Sequence, residues 1–278
     1  MQPAGPASNK NSDLHRRVFY CPEESAFYAA CIRFFLFRPW MPTNIIEFGA
    51  GDGSPVIEAL CSGYFQGRIE GFEVNADAAT QAEKNIYPSG KQGIYQVQNS
   101  CFFESFQSPG MEEQCLMANP PYIPARDPGR LLLPNLWGGP DGAGIICRLL
   151  EIRFRYALLL IPGISNPLRV IDHALRQGYR VQNYLTTPLP FGRYTSQESV
   201  QKHLHAMRRK KEAFFHETHY LLSGVLFCRE TPCMDGLEES LLKILAPGDG
   251  HVAGRSNTTK IVRDRDFESL GLQKGACK

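Results

Sequence analysis

The stretch 44–63, NIIEFGAGDGSPVIEALCSG, decides the fold. It opens on a short β-branched run that breaks at glycine, the mark of a buried strand. Gly49, Gly51 and Gly53 follow at alternate positions. SPVIEALCSG then reads as a helix, with Ser54 as N-cap, Pro55 at its first position and Gly63 as its stop. Strand, glycine loop and helix form the opening unit of an α/β sheet that holds a ligand where the loop turns. Glycines there let the backbone turn sharply and approach the ligand closely, and the helix start offers unpaired N–H groups. The spacing is G-x-G-x-G preceded by Glu47, not the G-x-G-x-x-G of dinucleotide sites.

Outward from this unit, strands and helices alternate. RIEGFEV (68–74) is a strand, ADAATQAEKNIY (76–87) a helix, and GIYQVQNSCF (93–102) and QCLMA (114–118) two more strands. AGIICRLLEIRF (143–154) is a helix, and YALLLIP (156–162) an unbroken apolar run suited to a central parallel strand. NPLRVIDHALRQG (166–178) is a helix closed by Gly178, and YRVQNYLTTPL (179–189) and HYLLSGVLFCR (219–229) are the last strands. Upstream, SAFYAACIRFFLF (25–37) is apolar all round and reads as a mostly buried helix. The alternation predicts an α/β, doubly wound, mostly parallel Rossmann-like sheet of seven strands. Residues 1–18 read as a mobile tail and 19–232 as the domain. A basic helical insertion occupies 192–217, and 233–278 form a short helix near LEESLLKIL and a disordered tail.

The 278 residues are 43% hydrophobic and 21% charged, the make-up of an ordinary globular protein. A net charge of +2 leaves any nucleic-acid role to local patches. The nine cysteines include no C-x-x-C pair, which argues against a disulfide framework or a zinc knuckle and for reduced thiols in a cytoplasmic protein. No segment is long and apolar enough to span a membrane, and the N-terminus lacks the apolar core of a signal peptide.

Two further features give the loop a chemistry. Glu73 ends the second strand, where an acid accepts both hydroxyls of a ribose. The fourth strand runs into Asn119, Pro120, Pro121 and Tyr122. Adjacent prolines cannot continue a strand, so the chain leaves the sheet in a rigid bend. N-P-P-Y at the end of the fourth strand resembles the catalytic motif of methyltransferases that act on an NH₂ group attached to a planar system, and such a nitrogen is a poor nucleophile because its lone pair is delocalised. If the Asn119 side-chain oxygen and the Pro120 carbonyl accept its two hydrogens, the lone pair turns out of the plane. The work is positioning and electrostatic stabilisation. Pro121 holds the spacing of the acceptors, and Tyr122 offers a ring to stack on a planar target.

E-x-G-x-G-x-G, a second-strand acid and a later N-P-P-Y resemble the class I S-adenosylmethionine-dependent methyltransferases. The resemblance implies that Glu47, Gly49, Gly51 and Gly53 wrap the methionine part of S-adenosyl-L-methionine and that Glu73 holds the ribose. It also implies an antiparallel seventh strand inserted at the sheet edge. NPPYIP followed by LWGGPDGAGIICRLLE (136–151) resembles the HemK-like glutamine-N5 protein methyltransferases, over about residues 40–190. The matching Gly138, Gly139, Asp141 and Gly142 read as a tight turn in which Asp141 caps the next helix. Cys101, in NSCFFE, stands where that family carries an acid beside the adenine. The residues ahead of Asn44 are too few for the family's N-terminal domain, and the basic insertion is outside its pattern.

In the insertion, Val200, Leu204, Met207 and Phe214 fall on one helical face, and Arg208, Arg209, Lys210 and Lys211 form a cationic run. One reading is an amphipathic helix with a solvated basic face. The other is a lid whose cations grip phosphate or an acidic partner. Zinc on His203, His205, His216 and His219 is disfavoured by their irregular spacing, and no metal is expected. The leading expectation is an N-methyltransferase acting on a protein glutamine. The alternatives are an RNA or DNA base (adenine N6 or guanine N2), a small amine or amide, and a non-catalytic scaffold.

Overall fold

The computed structural model describes residues 17–106, 114–229 and 237–247. The stretches 1–16 and 248–278, most of the two expected tails, lie outside the described residues. In chain order the elements are α1 (Pro22–Cys31), β1 (Asn44–Phe48), α2 (Ser54–Ser62), β2 (Arg68–Glu73), α3 (Ala76–Ser89), β3 (Tyr95–Asn99) and α4 (Phe102–Ser105). They continue with β4 (Gln114–Ala118), α5 (Gly144–Glu151), β5 (Tyr156–Pro162), α6 (Pro167–Arg176), β6 (Arg180–Pro190), α7 (Glu198–Arg209), β7 (His219–Cys228) and α8 (Leu237–Leu245).

The strands form one seven-stranded sheet in the order β3-β2-β1-β4-β5-β7-β6. The first five are parallel to one another, and β7 runs antiparallel between β5 and β6. This is the mostly parallel α/β sheet that the alternation predicts. Every residue of β5 is buried, so the strand tolerates its unbroken apolar run.

Register aligns the strand ends. Phe48 stands opposite both Phe72 and Ala118, and Glu73 stands opposite Asn99. The residues that follow, Gly49 and Asn119, therefore leave the sheet at the level of Glu73. Ser100 and Cys101 leave one step further along. Strand order reverses between β1 and β4, so a crevice opens at this rim.

Local readings differ in detail. The predicted helix over 25–37 begins earlier, at Pro22, and its second half, Ile32–Leu36, winds as a π-helix. Ser54 is not the cap of α2. Gly53 takes that position with φ +71°, while Ser54 donates both its N–H and its hydroxyl to Asp52 Oδ1, at 3.0 and 2.6 Å. In α7, Val200, Leu204 and Met207 are buried on one face as expected, but the helix ends at Arg209 and Phe214 lies beyond it. Val18 is buried, and Arg17 pairs with Asp77 at 3.1 Å.

Candidate functional site

A cavity of about 530 Å³ lies at the rim where β1, β2 and β4 end. Its floor at one end is the glycine loop. Gly49, Gly51 and Gly53 have φ of +69°, +59° and +71°, the left-handed region that favours glycine. A Cβ on Gly49 or Gly51 would meet nothing within 4 Å, whereas one on Gly53 would reach the Tyr95 ring at 3.2 Å. The first two glycines thus keep the cavity side of the loop open, and the third serves packing against β3.

Glu73 does more than end β2. Its Oε2 accepts the Gly51 N–H at 2.8 Å and its Oε1 accepts the Asn75 N–H at 2.7 Å. One carboxyl therefore ties the loop to the start of α3 while facing the cavity, and burial raises its pKa. Glu47 is 1% exposed, and its Oε2 accepts the Tyr95 hydroxyl at 2.6 Å. Desolvation pushes Glu47 up to about 8, with the nearby Glu73 charge adding to the rise. Beyond β3, Cys101 lines the cavity ahead of the single turn α4. Its neighbour Ser100, singled out by no motif, holds a buried hydroxyl without a partner.

At the other end, Asn119, Pro120, Pro121 and Tyr122 all line the cavity. The Asn119 Oδ1 is buried and accepts no hydrogen bond. A buried acceptor left unpaired costs about 1–3 kcal/mol, so an atom of this kind marks a place where a donor is due. The bend is held from behind. Ile123 donates its N–H to the Leu136 carbonyl and accepts the Gly138 N–H, both at 3.0 Å, and Ser165 Oγ donates to the Tyr122 carbonyl at 2.9 Å. A Cβ on Gly138 would sit 2.6 Å from Tyr122 Cα, and one on Gly142 would sit 2.5 Å from the Tyr122 oxygen. These glycines permit two backbones to touch behind the bend. Asp141 does not cap α5 directly. It accepts the Ala143 N–H at 3.2 Å in the preceding turn and binds Arg169 Nη1 at 2.7 and 2.9 Å.

Tyr122 is 6% exposed, and its hydroxyl is already engaged. It donates to Glu24 Oε2 at 2.7 Å and lies 2.9 Å from the Tyr220 hydroxyl. Glu24 is the residue that sequence reasoning missed. It enters from α1, is 2% exposed, and lines the cavity beside Asn119. Burial pushes it up to about 7, against the pull of the Tyr122 hydroxyl and the Asn119 amide.

The insertion between β6 and β7 reaches the cavity through Gly192, Arg193, Tyr194 and Thr195. Arg208, Arg209, Lys210 and Lys211 do not line it. They sit at the exposed C-terminal end of α7, with Arg208 5.0 Å over the Phe215 ring. The histidines disperse: His203 bonds the Pro140 carbonyl at 2.6 Å, His205 meets Phe215, and His216 stacks on His219. Among the described residues no group of three or more His, Cys, Asp or Glu is placed to hold a metal ion, and no helix is long and apolar enough to cross a membrane.

No family model matches the chain, and no curated protein matches it. Solved structures to which this chain is similar include the Mtq2–Trm112 complex of E. cuniculi, responsible for methylating the eRF1 translation termination factor. It is 13% identical, with a TM-score of 0.48 over 77% of this chain and 99% of that one. A methyltransferase of Pyrococcus furiosus is 15% identical, with a TM-score of 0.44 over 78% and 94%. The ribosomal protein L11 methylase of Lactobacillus delbrueckii subsp. bulgaricus is 12% identical, with a TM-score of 0.44 over 77% and 82%. Identities and scores this low do not carry a reaction from those proteins to this one.

Proposed function

We propose that this chain is an S-adenosylmethionine-dependent N-methyltransferase, acting on an amide or exocyclic amine nitrogen and most literally on a protein glutamine. The observation that carries the reading is the unpartnered, buried Asn119 Oδ1 in the same cavity as the open glycine loop. The residues fit the donor. Gly49 and Gly51 leave room along the loop, Glu73 keeps lone pairs for ribose hydroxyls, and the Ser100 hydroxyl waits for a partner at the Cys101 end. When bound, S-adenosylmethionine supplies an electrophilic methyl group on a sulfonium.

This chain's own residues then divide the work. Asn119 Oδ1 and the Pro120 carbonyl accept the two hydrogens of the target nitrogen and turn its lone pair outward. Pro121 and the glycine turn behind the bend hold those acceptors in place, so little reorganisation is left for the reaction itself. Tyr122, anchored by its hydroxyl, sets one wall for a flat group.

A nucleic-acid base as target is favoured by one feature: the aromatic rings of Phe19, Tyr20, Phe103 and Tyr194 line the same cavity. A single-stranded or flipped base stacks on such rings. The deciding experiment is transfer of a radiolabelled methyl to a cell extract, followed by protease or nuclease. Label lost to protease supports the glutamine reading and label lost to nuclease supports the base reading. Absence of transfer, together with absence of donor binding by calorimetry, would reject the enzyme.

A further inference from the structure

Methylation of a nitrogen leaves a proton to dispose of. The N–C bond forms from the nitrogen lone pair, and the electrons of the broken C–S bond stay on sulfur. The nitrogen then carries a positive charge until one of its hydrogens departs as a proton. Asn119 and Pro120 offer only neutral carbonyl oxygens, which accept hydrogen bonds but are far too weakly basic to keep a proton. The site therefore needs a base, and the N-P-P-Y stretch has none.

We infer that Glu24 is that base: its Oε1, buried, unpartnered and beside the Asn119 amide in the cavity wall, takes the proton released by the methylated nitrogen. The inference rests on the reading of the cavity as a methyl-transfer site. Two oxygens of one cavity, Glu24 Oε1 and Asn119 Oδ1, are buried with no hydrogen bond closed, although the Asn119 amide lies close enough to Glu24 to favour its charged form. A target that presents N–H groups satisfies both at once. The second carboxylate oxygen is already occupied, since Tyr122 donates to Oε2 and Tyr220 lies against Tyr122. That chain of hydroxyls fixes the carboxylate plane and leaves Oε1 as the free acceptor. The remaining acids of the cavity serve elsewhere: Glu73 ties the glycine loop, Glu47 accepts the Tyr95 hydroxyl, Asp52 binds Ser54, and Glu58 faces the Arg33 charge.

The protonation range suits the task, because a base poised near neutrality both accepts and returns a proton. Glu24 lies near 7. The titratable groups facing it are the Tyr122, Tyr194 and Tyr220 hydroxyls and the Cys21 thiol, and burial raises every one of them. Glu47, which also lines the cavity, is pushed up to about 8 by burial.

The test uses the full chain and labelled methyl transfer to the protein and RNA fractions of a cell extract, as initial rates from pH 5.5 to 9. Wild-type activity is expected to rise with pH through the range where Glu24 ionises. Glu24→Gln should bind S-adenosylmethionine within a few-fold of wild type, lose about 10²-fold or more in rate, and lose the rise assigned to Glu24. Glu24→Asp keeps a carboxylate and should keep a pH-dependent rise at a lower plateau. Tyr220→Phe leaves Glu24 in place but weakens the hydroxyl chain that supports its charge, so the rise should move to higher pH. A Glu24→Gln rate near wild type, or a lower rate with an unaltered pH profile, overturns the inference and leaves the methyltransferase reading standing. If Glu24→Gln fails to bind the donor, Tyr220→Phe decides, and an unmoved rise overturns the inference. Wild type that neither binds donor nor transfers label overturns both.

Discussion

Replacing Glu47 by Gln should flatten the dependence of stability on pH. In the folded chain the Glu47 carboxyl is 1% exposed, faces Tyr95 at 2.6 Å, and is raised to about 8 from the ordinary 4.5. Below pH 4.5 both folded and unfolded chains hold this proton. As pH rises past that value the unfolded chain releases it, while the folded chain keeps it until about 8. In this window the folded state binds more protons, so stability falls with pH and levels off above about 8. At about 1.4 kcal/mol per pH unit, a gap of roughly three and a half units amounts to about 5 kcal/mol as an upper bound. Glutamine keeps the shape and the acceptor for Tyr95 but has no proton to lose. Its extra N–H group adds an offset that is the same at every pH. Urea unfolding of both proteins from pH 5 to pH 9 measures the difference directly. The stability gap should move in favour of Glu47→Gln by several kcal/mol across that range, and parallel curves would refute the assignment. Glu24 contributes a slope of the same sign, ending near 7, but it is present in both proteins and drops out of the comparison.

Other substitutions follow from the same geometry. Asn119→Ala should abolish methyl transfer while donor affinity, measured by calorimetry, stays within a few-fold; near-normal turnover would remove the acceptor role. Glu73→Ala should weaken donor binding by roughly 1–3 kcal/mol, from unpaired hydroxyls and an untethered Gly51 amide, and unchanged affinity would show the ribose lies elsewhere. Gly142→Ala adds a methyl group 2.5 Å from the Tyr122 carbonyl at a backbone φ of +79°. It should therefore cost about 1–2 kcal/mol in stability and lower turnover, with little change in donor binding; unaffected turnover would show the bend needs no support from that turn. Neutralising Arg208, Arg209, Lys210 and Lys211 should leave donor binding intact and flatten the salt dependence of transfer if the acceptor carries phosphates. A salt response identical to wild type would favour the solvated-face reading.

The sheet was legible where burial is two-sided. QCLMA and YALLLIP correspond to β4 and β5 residue for residue, because a strand covered on both faces must be apolar throughout. The level rim that brings Gly49, Glu73 and Asn119 together follows from strand ends that the sequence marks with glycine, asparagine or proline. The edge strand β3 is shorter than its sequence pattern, ending at Asn99, because Ser100 and Cys101 turn into α4. Glu24 was not legible. An acid in the first turn of a helix is ordinary, since it suits the helix dipole. Its buried partner Tyr122 lies 98 positions away, and Tyr220, which bonds Tyr122 in turn, comes from the last strand of the sheet. The Ser100 hydroxyl was missed for a similar reason, as its value depends on a cavity formed by other strands. The basic run was legible as a charged patch, but only the course of α7 shows that it lies outside the cavity lining.

The antiparallel β7 between β5 and β6 also orders events during synthesis. β6 leaves the ribosome before β7, yet its place in the sheet exists only once β7 has been laid down. Until residues 219–228 emerge, the edge of β5 facing them is a row of unpaired backbone N–H and C=O groups on an apolar strand. A nascent chain halted before His219 should therefore be sticky and in need of chaperone cover, and the wall that carries Tyr220 would be missing from the cavity until the final strand slides home.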